Sequence, residues 1–146
     1  MLYARINLNK TDYDISDNWT YLNAPWYSNK LDILLLNNIY TQYCRYKKFK
    51  SVMPIFDSEY LDESNDVIGY KHNNKLVAFS LIRRHDKDNI EAVQFAWDYV
   101  NPKLRLGIES LKNECAIYKN RGFKYLYLGE AAEYKKIDGY ELLGML

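Results

Sequence analysis

The sequence predicts one small α/β domain built on a mixed β-sheet. Three observations lead there. Three strand-like segments separated by two short turn signals read as an antiparallel meander. A helical segment between Pro102 and Gly122 then leads into a short apolar strand, and that strand–helix–strand order requires a right-handed crossover with parallel pairing. No linker, repeat or low-complexity stretch interrupts the 146 residues, so residues 1–146 are expected to form a single domain.

Leu2 to Leu8 alternates Leu2, Ala4, Ile6 and Leu8 against Tyr3, Arg5 and Asn7, the period of a half-buried strand. Thr11 to Pro25 is polar and turn-rich, with Trp19 and Trp26 as expected anchors. Ser28 is placed to cap a helix from about Asn29 to Lys47. Leu31, Leu34, Leu35, Ile39, Tyr43 and Tyr46 are expected to form its buried face. The basic cluster Arg45–Lys50 suits the negative end of that helix, with RNA contact as the competing reading.

Ser51 to Asn65 reads as irregular. Asp66–Lys71 and Lys75–Arg83 flank His72-Asn73-Asn74, a hairpin turn, and Asp86 to Asn89 is a second turn leading into Ile90–Val100. Pro102 breaks the chain. A helix from Arg105 or Leu106 to about Asn120 is expected to bury Ile108, Leu111, Cys115 and Tyr118, and Arg121-Gly122 closes it. Phe123–Leu128 is the crossover strand. Ala131 to Ile137 reads as a short helix ended by Gly139, and Tyr140–Leu143 as a final strand.

Acidic (19) and basic (20) residues nearly cancel, which argues against a DNA-coating protein and against recruitment to anionic membrane. The two cysteines, Cys44 and Cys115, stand alone in helical patterns, with neither a disulfide framework nor zinc-ligand spacing. Met1 to Lys10 lacks the apolar core of a signal peptide, and the longest apolar run, Ile33 to Leu36, is too short to cross a bilayer. A reducing cytoplasm is the expected location. The 15 tyrosines, beside many Asn and Lys, are what an AT-rich genome yields. The alternative is a surface on which bases or substrate rings stack.

Three stretches carry a family resemblance. Val100-Asn101-Pro102-Lys103-Leu104-Arg105-Leu106-Gly107-Ile108 resembles the segment V-x-P-x-x-R-G-x-G-I-G that joins the fourth strand to the main helix in the GNAT N-acyltransferase superfamily. Tyr118 to Leu128 is similar to the end of that helix, its glycine and the fifth strand, and Ala131 to Tyr140 to the ending A-x-x-x-Y-x-x-x-G-F. The element order also follows the family's. The resemblance implies a GNAT-like acyl-CoA N-acyltransferase fold, α/β (α+β), with a mixed, mostly antiparallel sheet and helices on both faces. The same region is similar to the GNAT-like carboxy-terminal domain of aminoacyl-tRNA–protein transferases, through Arg105–Ser110 and through Tyr125-Leu126-Tyr127-Leu128-Gly129.

Site residues follow from this resemblance. Lys103, Arg105, Leu106, Gly107 and Ile108 would cradle the pyrophosphate of acetyl-CoA or another acyl-CoA, where free backbone N–H groups open a helix. The edge of the strand holding Phe95, Ala96 and Trp97 would take the pantetheine arm and aim an N–H at the thioester carbonyl. Tyr134 matches the tyrosine that protonates the leaving thiolate, and Glu91 is the expected general base. Glu109 stands where the family prefers a small residue, and would repel a pyrophosphate if it faced the cleft. The acceptor would be an amine on a small molecule or a protein, with no metal required and a homodimer left open. Two alternatives stand beside acetyl transfer: aminoacyl transfer from charged tRNA to a protein amine, and a catalytically silent GNAT-like binding module.

Overall fold

The computed structural model describes residues 2–22, 30–48, 62–98, 105–130 and 135–145. The chain runs β1 (Leu2–Asn7), a 3-10 turn (Leu8–Lys10), β2 (Trp19–Tyr21), α1 (Lys30–Lys47), β3 (Asn65–His72), β4 (Lys75–Arg84), β5 (Asn89–Trp97), α2 (Leu106–Asn120), β6 (Tyr125–Glu130) and β7 (Tyr140–Met145). Trp26, Ser28 and residues 131–134 of the expected short helix lie outside the described residues.

The strands make one seven-stranded sheet in the order β2-β3-β4-β5-β6-β1-β7. All pairings are antiparallel except β5 with β6, the parallel pair that the crossover through α2 requires. The β3–β4 hairpin turns on Asn73 (φ 52°) and Asn74 (φ 63°), two consecutive left-handed residues as a tight two-residue turn demands. Strand β2, within a segment the sequence presents as irregular, pairs Trp19, Thr20 and Tyr21 with Tyr70, Gly69 and Ile68. A three-residue edge strand is too short to show a period of two.

Period two sorts β4 between the faces. Ala78, Ser80 and Ile82 turn toward α2, while Phe79 and Leu81 turn toward α1. Beneath α2 the core joins Ala4, Ile6, Ile68, Ile82, Ile90 and Leu126 to Leu111, Cys115 and Tyr118. On the opposite face Leu36 and Ile39 of α1 meet Val67, Phe79, Leu81 and Ala96.

The buried stripe of α1 differs from the expected one. Leu34 (67%), Leu35 (41%) and Tyr46 (63%) are exposed, whereas Ile39 is buried as expected and is joined by Leu36 and Cys44. Apolar side chains run almost all the way round this helix, so periodicity alone did not choose the face; the sheet did. In α2 the opposite holds: every residue from Ser110 to Tyr118 except Lys112 is buried, polar Ser110, Asn113 and Glu114 included.

Candidate functional site

Strands β5 and β6 pair only at Asn89↔Tyr125, Ile90↔Leu126 and Glu91↔Tyr127, and then part. Each strand carries an extra residue just beyond the last pair. On β5, Leu81 faces Gln94 while Ile82 faces Ala92, so Val93 is a bulge. On β6, Ala4 faces Gly129 while Arg5 faces Tyr127, so Leu128 is another. A bulge bends its strand and sharpens its twist. Two of them, side by side, open a cleft between parallel neighbours.

A cavity of about 360 Å³ occupies this opening, with Glu91 to Phe95 on one wall, Leu128 on the other, and Gly107, Ser110, Leu111 and Glu114 of α2 across it. Lys135 also lines it. Its outward continuation is a groove of about 440 Å³ that shares Tyr43, Phe95 and Gly107 with the cleft and adds Tyr46, Lys47, Trp97, Arg105, Leu106 and Ile108. The groove thus pairs aromatic rings with two cations, Arg105 at the opening turn of α2 and Lys47 at the end of α1. Among the described residues no side chain caps that helix; Arg105 occupies the N-cap in the left-handed region (φ 50°, ψ 45°). Uncapped N–H groups at the positive end of a helix dipole favour an anion.

The sequence-predicted residues distribute as follows. Phe95 lines both the cleft and the groove, and Trp97, Arg105, Leu106, Gly107 and Ile108 line the groove. Ala96 is fully buried toward α1, so only its backbone could meet a ligand. Glu91 lines the cleft beside the last β5–β6 pair, and its Oε1 lies 2.8 Å from His85 Nε2. Lys103 and Tyr134 lie outside the described residues. Glu109 is exposed and lines a different cavity, of about 500 Å³ across α2, together with Tyr13, Asp14, Tyr70 and Asn113. It borders neither the cleft nor the groove among their lining residues, which removes the expected repulsion.

Sequence reasoning missed the polar floor of the cleft. Glu114, 3% exposed, accepts hydrogen bonds at Oε2 from Tyr70 Oη (2.5 Å) and Ser80 Oγ (2.7 Å). Burial pushes this carboxyl up to about 7, against the two donated hydrogen bonds that pull it down. Burial, and then the neighbouring Glu114, hold the Tyr70 hydroxyl well above the ordinary phenol range. The available signal was a charged residue three positions after Leu111 and four before Tyr118, inside the buried stripe.

A second missed feature is the aromatic surface of β1 and β6. Tyr3 stacks on Tyr127 with centroids 6.1 Å apart, and the Arg5 guanidinium sits 3.9 Å above the Tyr125 ring while bonding Glu141 at 2.8 Å. Tyr125 and Tyr127 are the outward members of an alternating strand, which the spacing could have revealed.

Among the described residues no group of three or more His, Cys, Asp or Glu is placed to hold a metal ion. No described helix is long and apolar enough to cross a membrane. Cys44 and Cys115 are free and buried, and burial raises the Cys115 thiol.

The antiparallel meander, the parallel crossover through α2 and the parting of β5 from β6 define a GNAT-like acyltransferase fold. Among solved structures the chain is similar to a GCN5-related N-acetyltransferase from Kribbella flavida (TM-score 0.62, 12% identity, 98% of this chain and 54% of that one). It is similar also to N-myristoyltransferase of Saccharomyces cerevisiae with bound myristoyl-CoA and inhibitors (TM-score 0.60, 13% identity, 98% and 48%). A third neighbour is L-PGS from Bacillus licheniformis (TM-score 0.60, 16% identity, 89% and 46%). The chain spans about half the length of these proteins, and at such identities the likeness is one of fold. No family model and no curated relative matches the sequence.

Proposed function

We propose that the protein is an N-acyltransferase that binds an acyl-CoA, acetyl-CoA in the first instance, in the cleft between β5 and β6. The observation that carries this reading is the parting of the two strands over a cavity that continues to the uncapped start of α2. In this reading the pyrophosphate meets the N–H groups of the first turn, with Arg105 and Lys47 beside it and the adenine among Tyr43, Tyr46 and Trp97. The pantetheine arm runs along β5 beyond Glu91, where β6 no longer pairs. A backbone N–H near the Val93 bulge then polarises the thioester carbonyl.

The reaction balances simply. The acceptor ammonium loses a proton, its nitrogen attacks the thioester carbon, and a C–N bond forms as the C–S bond breaks while the nitrogen gives up a second proton to become the neutral amide. The thiolate takes up a proton to leave as free thiol, and one proton goes to solvent. Glu91 is the proposed acceptor of the ammonium proton, directly or through water, a role supported by its lining the cleft, where His85 is its hydrogen-bond partner. Tyr134 is the proposed donor to the thiolate.

Calorimetric titration with acetyl-CoA tests the reading. Saturable micromolar binding is expected, lost in Gly107→Glu with the fold intact, because a carboxylate in the first turn would repel the pyrophosphate. No binding at millimolar acetyl-CoA would overturn it.

A second reading, aminoacyl transfer from charged tRNA, is favoured by one observation: Leu128, within the segment Tyr125–Gly129 that resembles aminoacyl-tRNA–protein transferases, lines the cleft from β6. Charged tRNA ends in an adenosine, so the same groove chemistry would serve. Its signature is a steep fall of donor binding with salt, since each phosphate contact releases counterions.

A further inference from the structure

The acyl transfer set out above makes no use of the carboxyl buried in the wall of the cleft. Glu114 sits in the middle of α2 and faces β3 and β4. Among the described residues two groups hold it, both uncharged hydroxyls, and both donate to the same oxygen. The Tyr70 hydroxyl is itself held, accepting from Asn113 Nδ2 at 3.3 Å and lying 3.2 Å from Ser110 O. The network therefore fixes the carboxyl without neutralising it. Among the described residues the other titratable groups near it are Cys115 on its own helix and, along the cleft, Glu91 from β5, Tyr43 from α1 and Lys135 beyond β6.

A carboxylate in such a place keeps its charge only as long as water reaches it through the cleft. Ser80, one of its two donors, pairs across the ladder with Phe95, the residue that lines both cleft and groove. Anything laid along β5 at Phe95 therefore occupies the cavity that Glu114 lines.

We propose that Glu114 is a proton-binding site coupled to occupancy of the cleft: the carboxyl exchanges its proton while the cleft is open, and is held protonated once an acyl-pantetheine arm fills it. This rests on the acyl-CoA reading. The carboxyl titrates near neutrality in the open cleft, where burial sets it at about 7, so added desolvation draws in a proton at ordinary pH. If filling raises it by about one unit, binding takes up roughly half a proton near pH 7.5, and affinity falls about tenfold in all from pH 6 to pH 9.

The test is calorimetric titration of the full chain with acetyl-CoA across that pH range, in buffers of different ionisation enthalpy, for wild type and Glu114→Gln. The neutral amide keeps a carbonyl for Tyr70 and Ser80 but cannot titrate. The cofactor's own phosphate titrates equally in both proteins, so the difference between the two uptake curves belongs to Glu114. A bell centred between about pH 7 and 8 is expected in that difference, with Glu114→Gln binding acetyl-CoA at a nearly pH-independent excess over wild type above pH 8. Tyr70→Phe removes one donor to the ionised form, and should move the wild-type bell to higher pH. That shift carries the test if Glu114→Gln does not fold. Equal uptake in wild type and Glu114→Gln, or an unmoved bell in Tyr70→Phe, would overturn the coupling while leaving acyl-CoA binding standing. Failure of wild type to bind acetyl-CoA at all would remove the functional reading, and the coupling with it.

Discussion

Glu114→Gln should flatten the pH dependence of stability even with no ligand present. In the folded chain the carboxyl holds its proton up to about pH 7, and in the unfolded chain it releases it near the ordinary value of 4.5. Below about pH 4.5 both states are protonated and burial costs nothing. As pH rises from there to 7, the unfolded state ionises freely while the folded state resists, so stability falls; above 7 the loss is complete. A displacement of that size corresponds to about 3 kcal/mol in full, of which about 2 to 3 kcal/mol falls between pH 5 and pH 8. Urea denaturation followed by tryptophan fluorescence at those two pH values, for wild type and Glu114→Gln, reads this directly. Wild type should lose that much more stability than the variant on going to pH 8. Parallel losses would refute the reasoning, because they would mean that the folded carboxyl is as well solvated as the unfolded one.

Two further substitutions probe the frame around the site. Gly139 has φ +81°, and a Cβ there would lie 2.4 Å from the Asn7 carbonyl oxygen; Gly144 has φ +112° with nothing within 4 Å. Gly139→Ala should therefore cost roughly 3 kcal/mol or more and Gly144→Ala roughly 1–2 kcal/mol, the strain of the backbone alone, and thermal melts that ranked them the other way would contradict the geometry. Tyr118→Phe deletes a hydroxyl that donates to Asp66 Oδ2 at 2.6 Å, while Arg84 and Arg121 still hold that carboxylate. A loss of about 1–3 kcal/mol in denaturation is expected, and a change within a few tenths would show the bond to be idle.

The sequence made the meander and the crossover legible because each depends on local chemistry. The asparagine pair at 73–74 needs positive φ, and the segment from Leu106 to Asn120 has both a helical period and a stop at Gly122. What it concealed was set by partners far along the chain. The buried face of α1 was decided by the sheet beneath it, not by its own nearly continuous apolar surface. The bulges at Val93 and Leu128 appear only when the registers of β4–β5 and β1–β6 are compared, since a strand's own residues do not announce an extra member. Glu114 was hidden for a related reason: its partners Tyr70 and Ser80 lie 44 and 34 residues away, and a lone glutamate in a helix ordinarily faces water.

The place of β1 between β6 and β7 has a kinetic consequence. Arg5 meets Tyr127 and Glu141, residues 122 and 136 positions downstream, so β1 must wait during synthesis for strands made more than a hundred residues later. Until then Ala4, Ile6 and Leu8 have no sheet to join, while the β3–β4–β5 meander can close through short turns. Long closures are entropically slow and leave an unpaired strand open to wrong partners in the interval. The β6 wall of the cleft is therefore sealed from behind only when these distant segments meet, and conditions that delay that meeting should yield a chain with an ordered meander and no binding site.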